Sequence, residues 1–212
     1  WSSDVCSSDL SQSELVVLAN ACNLPSLLDS VMPHHHSRKT RPNRLHHIRG
    51  MRGLMTFGLQ ASTPADVWPP QPTNGHGFAA SGIPSPEGQR WFIGSSYQDA
   101  QENERQDQDN HQRNLDQLGT ISPRLARVVA EAIDRGAVQS WKGVRCTTHD
   151  HLPVVGPVDA ETLPDLWVCC GLGSRGISLA MICAEILASR LSAQPLPLPA
   201  KLAMRLDPRS GR

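Results

Sequence analysis

The chain reads as an α/β protein, α+β in detail, whose two ends build one layer while its middle builds a second, mainly antiparallel part. Three observations point there. A short apolar run stands near each end, Leu15 to Ala19 and Asp165 to Cys170, as expected of buried parallel strands. The second run leads into a glycine turn and then a long stretch of helix formers. Between the ends, from Gly53 to Gly94, glycine and proline are dense, and the pattern is strand and hairpin.

Bulk properties narrow the class further. A length of 212 residues permits one sizeable domain or two small ones. Twenty basic and twenty acidic residues leave no formal net charge, so no global basic field argues for nucleic acid. No apolar run reaches the roughly 18 residues of a membrane span, since Glu185 and Arg190 interrupt the last helix, and no signal peptide is visible. The cysteines at 6, 22, 146, 169, 170 and 183 form no C-x-x-C pair, which predicts a reduced, cytoplasmic protein with buried thiols. The opening "WSSDVCSSDL" matches the in-frame translation of a short-read sequencing adapter. Residues 1–10 are therefore set aside, and the chain is expected to be a gene fragment; a Ser-rich N-terminus is the ordinary alternative.

In order, Leu15 to Ala19 is a strand, Ala19-Asn20-Ala21 a small-residue turn, and a short helix ends at Asp29. A turn at the end of a parallel strand either borders a ligand or is plain core structure. Residues 32–50, "MPHHHSRKTRPNRLHHIRG", are basic and His-rich. Adjacent histidines diverge and no Cys or carboxylate stands at ligand spacing, so a solvated loop is expected and no metal site. Arg38, Lys39, Arg41 and Arg44 there could serve transient RNA contact. "GFAASGIP" and "RWFIGSSY" are strands joined by the hairpin "SPEGQ". Gln98 to Gln117 is an exposed helix or connector anchored by Leu115 and Leu118. "SPRLARVVAEAIDRG" is a helix capped by Ser122, started by Pro123 and ended by Gly136.

"AVQSWKGVRCTTHDHLPVVGPV" returns to extended structure. In an extended segment, alternation sends His149 and His151 to one face and Asp150 to the other, so no triad forms locally; a loop turning toward the substrate mouth is expected in preference to direct catalysis, and no catalytic base is assigned. Residues 171–176, Gly-Leu-Gly-Ser-Arg-Gly, satisfy G-x-G-x-x-G between a strand and a helix, a place that suits an anion or electron-rich ring. Such a fingerprint normally opens the first βαβ unit and is followed by an acidic residue about twenty positions on. Here the helix, Ile177 to Leu191 with Met181, Ile182, Ile186, Leu187 and Leu191 apolar, runs into "QPLPLP". The turn is a second nucleotide contact, not the first. The expected division is a split nucleotide-binding part at 11–31 and 144–194, a substrate part at 32–143 and a tail at 195–212.

"VVLANA", "IRG", "GFAASGIP", "RWFIGSSY", "WKGVRCTTHDHLPVVGPV" and "LWVCCGLGSRGISLAMICAEIL" agree in order and spacing with one family. Together they resemble the second half of a flavoenzyme of the D-amino-acid oxidase superfamily, which includes glycine and sarcosine oxidases. "GVRCTTHDHLPVVGPV", "GLGSRG" and "AEILASRLSAQPLPLP" are most similar to its tRNA-modifying branch. The resemblance covers nearly everything after residue 13. It lacks the family's first phosphate-binding βαβ and a preceding methyltransferase module, and Met51 stands where related sequences usually carry Gln.

The resemblance implies FAD as cofactor, with Ala19, Asn20 and Ala21 and the turn Gly171, Leu172, Gly173, Ser174, Arg175 and Gly176 facing it. It implies that Arg145, in the place of the Arg of W-x-G-x-R-P, holds a substrate carboxylate; a surface or ion-paired arginine is the alternative. Arg175 is then either a second substrate contact or a helix-start contact. The implied reaction removes the carboxymethyl group of 5-carboxymethylaminomethyl(-2-thio)uridine at the tRNA wobble position. A small-amine oxidase acting on glycine, sarcosine or a D-amino acid is the alternative, and a non-catalytic tRNA-binding fragment is the alternative of another class.

Overall fold

The computed structural model describes residues 14–31 and 43–210. The adapter-like residues 1–10, the three adjacent histidines and Arg38, Lys39 and Arg41 lie outside them. The chain divides into two compact units, residues 1–49 with 146–212, and residues 50–145. The sequence reading put the crossings at 31/32 and 143/144, so the His-rich segment moves to the first unit and Arg145 to the second.

In the first unit, β1 (Val16–Leu18) is followed by α1 (Leu24–Val31), and β8 (Val154–Asp159) and β9 (Leu163–Cys170) complete a sheet of order β1-β9-β8. β1 runs parallel to β9, with Leu18 opposite Val168, and β8 runs antiparallel to it. Alternation along β8 feeds two cores. Val154 and Val158 pack with Leu24, Leu28, Leu45 and Val168, while Val155 packs with Cys183, Ile186 and Leu206. The five described cysteines are free thiols.

Two burial expectations are corrected. Val16 and Val17 are 43% and 37% exposed because β1 is an edge strand among the described residues. In α4 (Gly176–Leu191) the buried residues are Cys183 and Ile186, whereas Met181 and Leu191 lie on an exposed face. The tail is no appendage. α5 (Ala200–Arg205) brings the Leu206 carbonyl to the Val155 N–H at 2.8 Å, and Arg190 bonds the carbonyls of Val155 and Ala203.

Arg44 likewise overturns its assignment to RNA. Its side chain is buried and donates to the carbonyls of Pro153, Leu152 and Arg205 and to Asp150 Oδ1 at 2.8 Å. A guanidinium spent on four internal acceptors is a staple, not a phosphate contact.

In the second unit, β2 (Arg49–Leu59) is central. With β3 (Thr73–Asn74), β4 (Phe78–Ser85), β5 (Gly88–Gly94) and β6 (Gln98–Asp99) it forms a sheet of order β3-β4-β5-β2-β6, and β7 (Gln139–Thr147) also pairs with β2. β4 and β5 form the expected hairpin, with Ser85 opposite Gly88. Helices α2 (Asp107–Ile121) and α3 (Pro123–Asp134) cover one face, burying Leu118, Leu125, Val129 and Ala132 against Trp68, Trp91 and Ile93. Each fully buried leucine there contributes about 2 kcal/mol by transfer from water. Ser122 Oγ accepts from the Leu125 N–H, the expected cap.

The sequence reading did not identify β2, because glycines at 50, 53 and 58 lower its strand propensity. Packing demands two of them. A Cβ at Gly58 would meet the Trp91 ring at 2.7 Å and the Ala137 carbonyl at 2.9 Å. Gly53 makes room for an arginine.

Candidate active site

Parallel pairing of β1 and β9 places the loops after both strands at one edge of the first unit's sheet, the usual position for ligands in such sheets. These loops are Ala19-Asn20-Ala21 and the turn Gly171 to Gly176. Ala21, Gly171 and Gly173 all have positive φ, at 52°, 72° and 58°. For Gly171 and Gly173 the glycine is therefore required by backbone conformation. Gly171 is also confined by packing, since a Cβ there would meet Thr148 Cγ2 at 3.0 Å. Leu172 bridges to Thr147. A single 3-10 turn over Gly173–Arg175, containing Ser174, then opens α4 at Gly176.

These loops have the character of a site edge. Asn20 Oδ1 is buried without a hydrogen-bond partner among the described residues, and Ile177, in the first turn of α4, is 97% exposed. A closely approached backbone, an unpaired buried acceptor and the N–H groups of a helix start fit the polar ring edge of a flavin. Below them, burial and neighbouring Cys22 push the Cys146 thiol up to about 12, so it remains neutral. Arg175 donates from Nη2 to the His151 carbonyl at 3.1 Å, a contact that ties the helix start to the preceding turn.

The His-Asp-His segment forms a turn after β7, in keeping with the expected loop. Asp150 accepts from Arg44, Thr148 Oγ1 and the Leu152 N–H. Burial alone would raise its pKa, but these donors outweigh it and hold the carboxyl below its ordinary value. His151 has φ 57° and lies 3.4 Å from Thr147 Oγ1, while His149 meets His47 edge-on at 6.2 Å. Among the described residues no group of three or more His, Cys, Asp or Glu side chains could hold a metal ion.

The second unit holds Arg145, and its surroundings are specific. Ser96 is buried and faces inward. Its Oγ accepts from the Leu54 N–H at 3.0 Å, and its N–H donates to the Leu54 carbonyl at 3.1 Å. Ser95 and Tyr97 on either side of it both meet Arg145. Arg145 Nη2 donates to Ser95 Oγ at 2.7 Å, and the guanidinium carbon lies 4.8 Å from the Tyr97 ring centre. Nη1 is shielded from solvent and has no hydrogen-bond partner among the described residues. A Cβ at Gly53 would sit 2.2 Å from Nη1 and 2.8 Å from Nη2. A guanidinium fixed over an aromatic ring, with one nitrogen tied to a hydroxyl and the other buried and unpaired among the described residues, suits a carboxylate.

Behind this clamp runs a buried polar chain. Asn114 Nδ2 donates to the Leu54 carbonyl at 3.1 Å and to Thr56 Oγ1 at 3.0 Å, and Thr56 Oγ1 lies 2.7 Å from His111 Nδ1. Burial pushes the His111 pKa down, partly offset by Asp107, which favours the neutral imidazole beside the Thr56 hydroxyl. Gly53, Ser95, Tyr97 and Asn114 escaped the sequence reading. Each acts through a neighbour distant in sequence, and no local pattern marks it.

One unit carries a mixed sheet with its loops at the carboxyl ends of adjacent strands and the other a largely antiparallel sheet that holds Arg145, the two parts of a nucleotide-binding oxidoreductase architecture. The FAD dependent oxidoreductase (DAO) family model matches residues 5–190, and the chain belongs to that family, whose cofactor is FAD. Among solved structures it is similar to iminodiacetate oxidase from Chelativorans sp. BNC1, with TM-score 0.60 and 13% identity over 91% of this chain and 46% of that one. Glycine oxidase from Geobacillus kaustophilus gives TM-score 0.56 and 18% identity over 88% and 44%. In sequence it is 40% identical over 206 residues to the tRNA 5-methylaminomethyl-2-thiouridine biosynthesis bifunctional protein MnmC of Albidiferax ferrireducens, covering 95% of this chain and 34% of that protein. It is 36% identical to the protein of that name from Polaromonas naphthalenivorans, over 97% and 31%. The chain thus spans about a third of the length of these curated relatives. Among the described residues no helix is long and apolar enough to cross a membrane.

Proposed function

We propose that this chain is part of a longer bifunctional enzyme, with a methyltransferase module and the first nucleotide-binding βαβ in the same polypeptide. Its flavin part removes the carboxymethyl group from 5-carboxymethylaminomethyl(-2-thio)uridine at the wobble position of tRNA, leaving the aminomethyl base and glyoxylate. The observation that carries this reading is Arg145, clamped by Ser95 and Tyr97 with a buried Nη1 that has no hydrogen-bond partner among the described residues. The names of the relatives support tRNA as the carrier of the substrate.

The reacting group is in effect an N-substituted glycine. FAD, when bound, supplies the acceptor for the hydride leaving the methylene between carboxylate and nitrogen. The chain's own residues have simpler tasks. Arg145 takes the carboxylate with its planar fork and so fixes where that methylene lies. Ser95 and Tyr97 hold the fork in plane. The nitrogen reacts as the neutral amine, and water then hydrolyses the resulting imine. Arg175, with Ala19, Asn20, Ala21 and Gly171 to Gly176, would border the flavin ring and oppose negative charge there.

The test is steady-state kinetics of the full-length protein on tRNA carrying the carboxymethylaminomethyl group. Arg145→Ala removes one or two charge-assisted bonds, each about 1.5–3 kcal/mol, so kcat/KM should fall by roughly one to four powers of ten. Arg145→Lys should recover only part of it, because an ammonium lacks the fork. Unchanged kcat/KM in Arg145→Ala would remove the assignment.

A further inference from the structure

We infer that Trp141 is the platform on which the substrate's nucleobase stacks, a role that rests on the reading of Arg145 as carboxylate clamp and of a carboxymethylaminomethyl-uracil as substrate. Along β7, residues 141, 143 and 145 project to one face and Lys142 to the other. Lys142 pairs with Glu104 at 3.1 Å and with Asp107 at the start of α2, which fixes its face as the helix-covered one. Trp141 therefore shares the opposite face with Arg145.

The indole is 61% exposed, yet it does not stand away from the strand. A Cβ built at Gly143 would meet its Cη2 at 2.7 Å and its Cζ3 at 3.1 Å, so the ring lies along the strand over Gly143, toward Arg145. Gly143 has no side chain to block this. The ring's resting place is two residues from Arg145, about 7 Å along a strand. In the proposed substrate, four bonds separate the carboxylate carbon from C5 of uracil, about 5–6 Å when extended. A carboxylate on the guanidinium leaves the pyrimidine about 5–6 Å from it, a reach that suits the indole on the same face of β7.

An exposed tryptophan contributes little to folding, but a base stacked on one recovers binding energy regardless of its hydrogen-bonding edges. Arg145 would select the carboxymethyl group and Trp141 the ring that carries it. A small N-alkyl glycine engages only the first.

The experiment compares Trp141→Ala and Trp141→Phe with wild type in the full-length, flavin-loaded protein. Three substrates are used: the modified tRNA, the free nucleoside 5-carboxymethylaminomethyluridine, and N-ethylglycine, which has the same reacting group and no base. Trp141→Ala should raise KM for tRNA and nucleoside by roughly 5- to 150-fold, with kcat largely kept. Trp141→Phe should restore most of the loss, and N-ethylglycine kinetics should be the same in all three proteins. An equal loss on N-ethylglycine, or none on the nucleoside, overturns the role of Trp141. A wild-type protein that oxidises N-ethylglycine but neither uridine substrate defeats the proposed function instead.

Discussion

Replacing Gly53 by alanine tests whether the arginine site is built as described. The added methyl would lie 2.2 Å from Arg145 Nη1, 2.8 Å from Nη2 and 2.8 Å from the Ser96 carbonyl. Such distances are not tolerated, so something must shift. The guanidinium is the softer neighbour, and moving it breaks the 2.7 Å bond to Ser95 Oγ and lifts the charge from Tyr97. One charge-assisted hydrogen bond is worth about 1.5–3 kcal/mol and a cation–π contact about 0.5–1 kcal/mol, so KM for the carboxylate substrate should rise about 30- to 1,000-fold. The assay is steady-state kinetics on Gly53→Ala, Arg145→Ala and the double variant. With the guanidinium gone, the methyl has only the Ser96 carbonyl to avoid, so the effect of Gly53→Ala should shrink in the Arg145→Ala background. Wild-type KM in Gly53→Ala, or fully additive effects, would refute the reasoning.

Three further outcomes concern stability. Arg44→Met removes a buried charged donor from three carbonyls and Asp150 and should cost about 3 kcal/mol or more, measured as a lower melting temperature in the full-length protein. The Asp150 pKa is depressed below 3.8 in the folded state. Its stabilisation is therefore complete above that pH and lost as pH falls through the depressed value, and melting temperatures in acid should show a shallower loss for Asp150→Asn. The His111 pKa is lowered from 6.5 by burial, so the unfolded chain takes up the proton first. Stability should fall as pH drops below about 6.5, and His111→Gln should remove that slope; an unchanged slope would mean that His111 is not its source.

The second unit shows what a single sequence can and cannot reveal. The β4–β5 hairpin and α3 were legible because their signals are local: alternation about a turn, a Ser cap, a Pro at the first helical position, a closing glycine. β2 was not. Gly53 and Gly58 make sense only against Arg145 and Trp91, residues brought to them by the fold. α2 is a related case. Leu118 was identified as an anchor, but Asn110 and Asn114 are also buried, and polar side chains give no periodicity signal for a face that packs through hydrogen bonds. At the site, Arg145 and the glycine turn stood out by motif, whereas Ser95 and Tyr97 have meaning only in three dimensions. Arg44 misled because charge composition cannot separate a surface cation from one spent on carbonyls.

Because β1 pairs with β9, and Arg44 bonds the Arg205 carbonyl, the first unit is closed by contacts between residues some 150 positions apart. The second unit, contiguous from 50 to 145, depends on no such delay. During synthesis it can complete its sheet while the earlier β1 and α1 still wait for strands that do not yet exist. The pairing of β1 with β9 therefore forms only after the whole of the second unit has emerged.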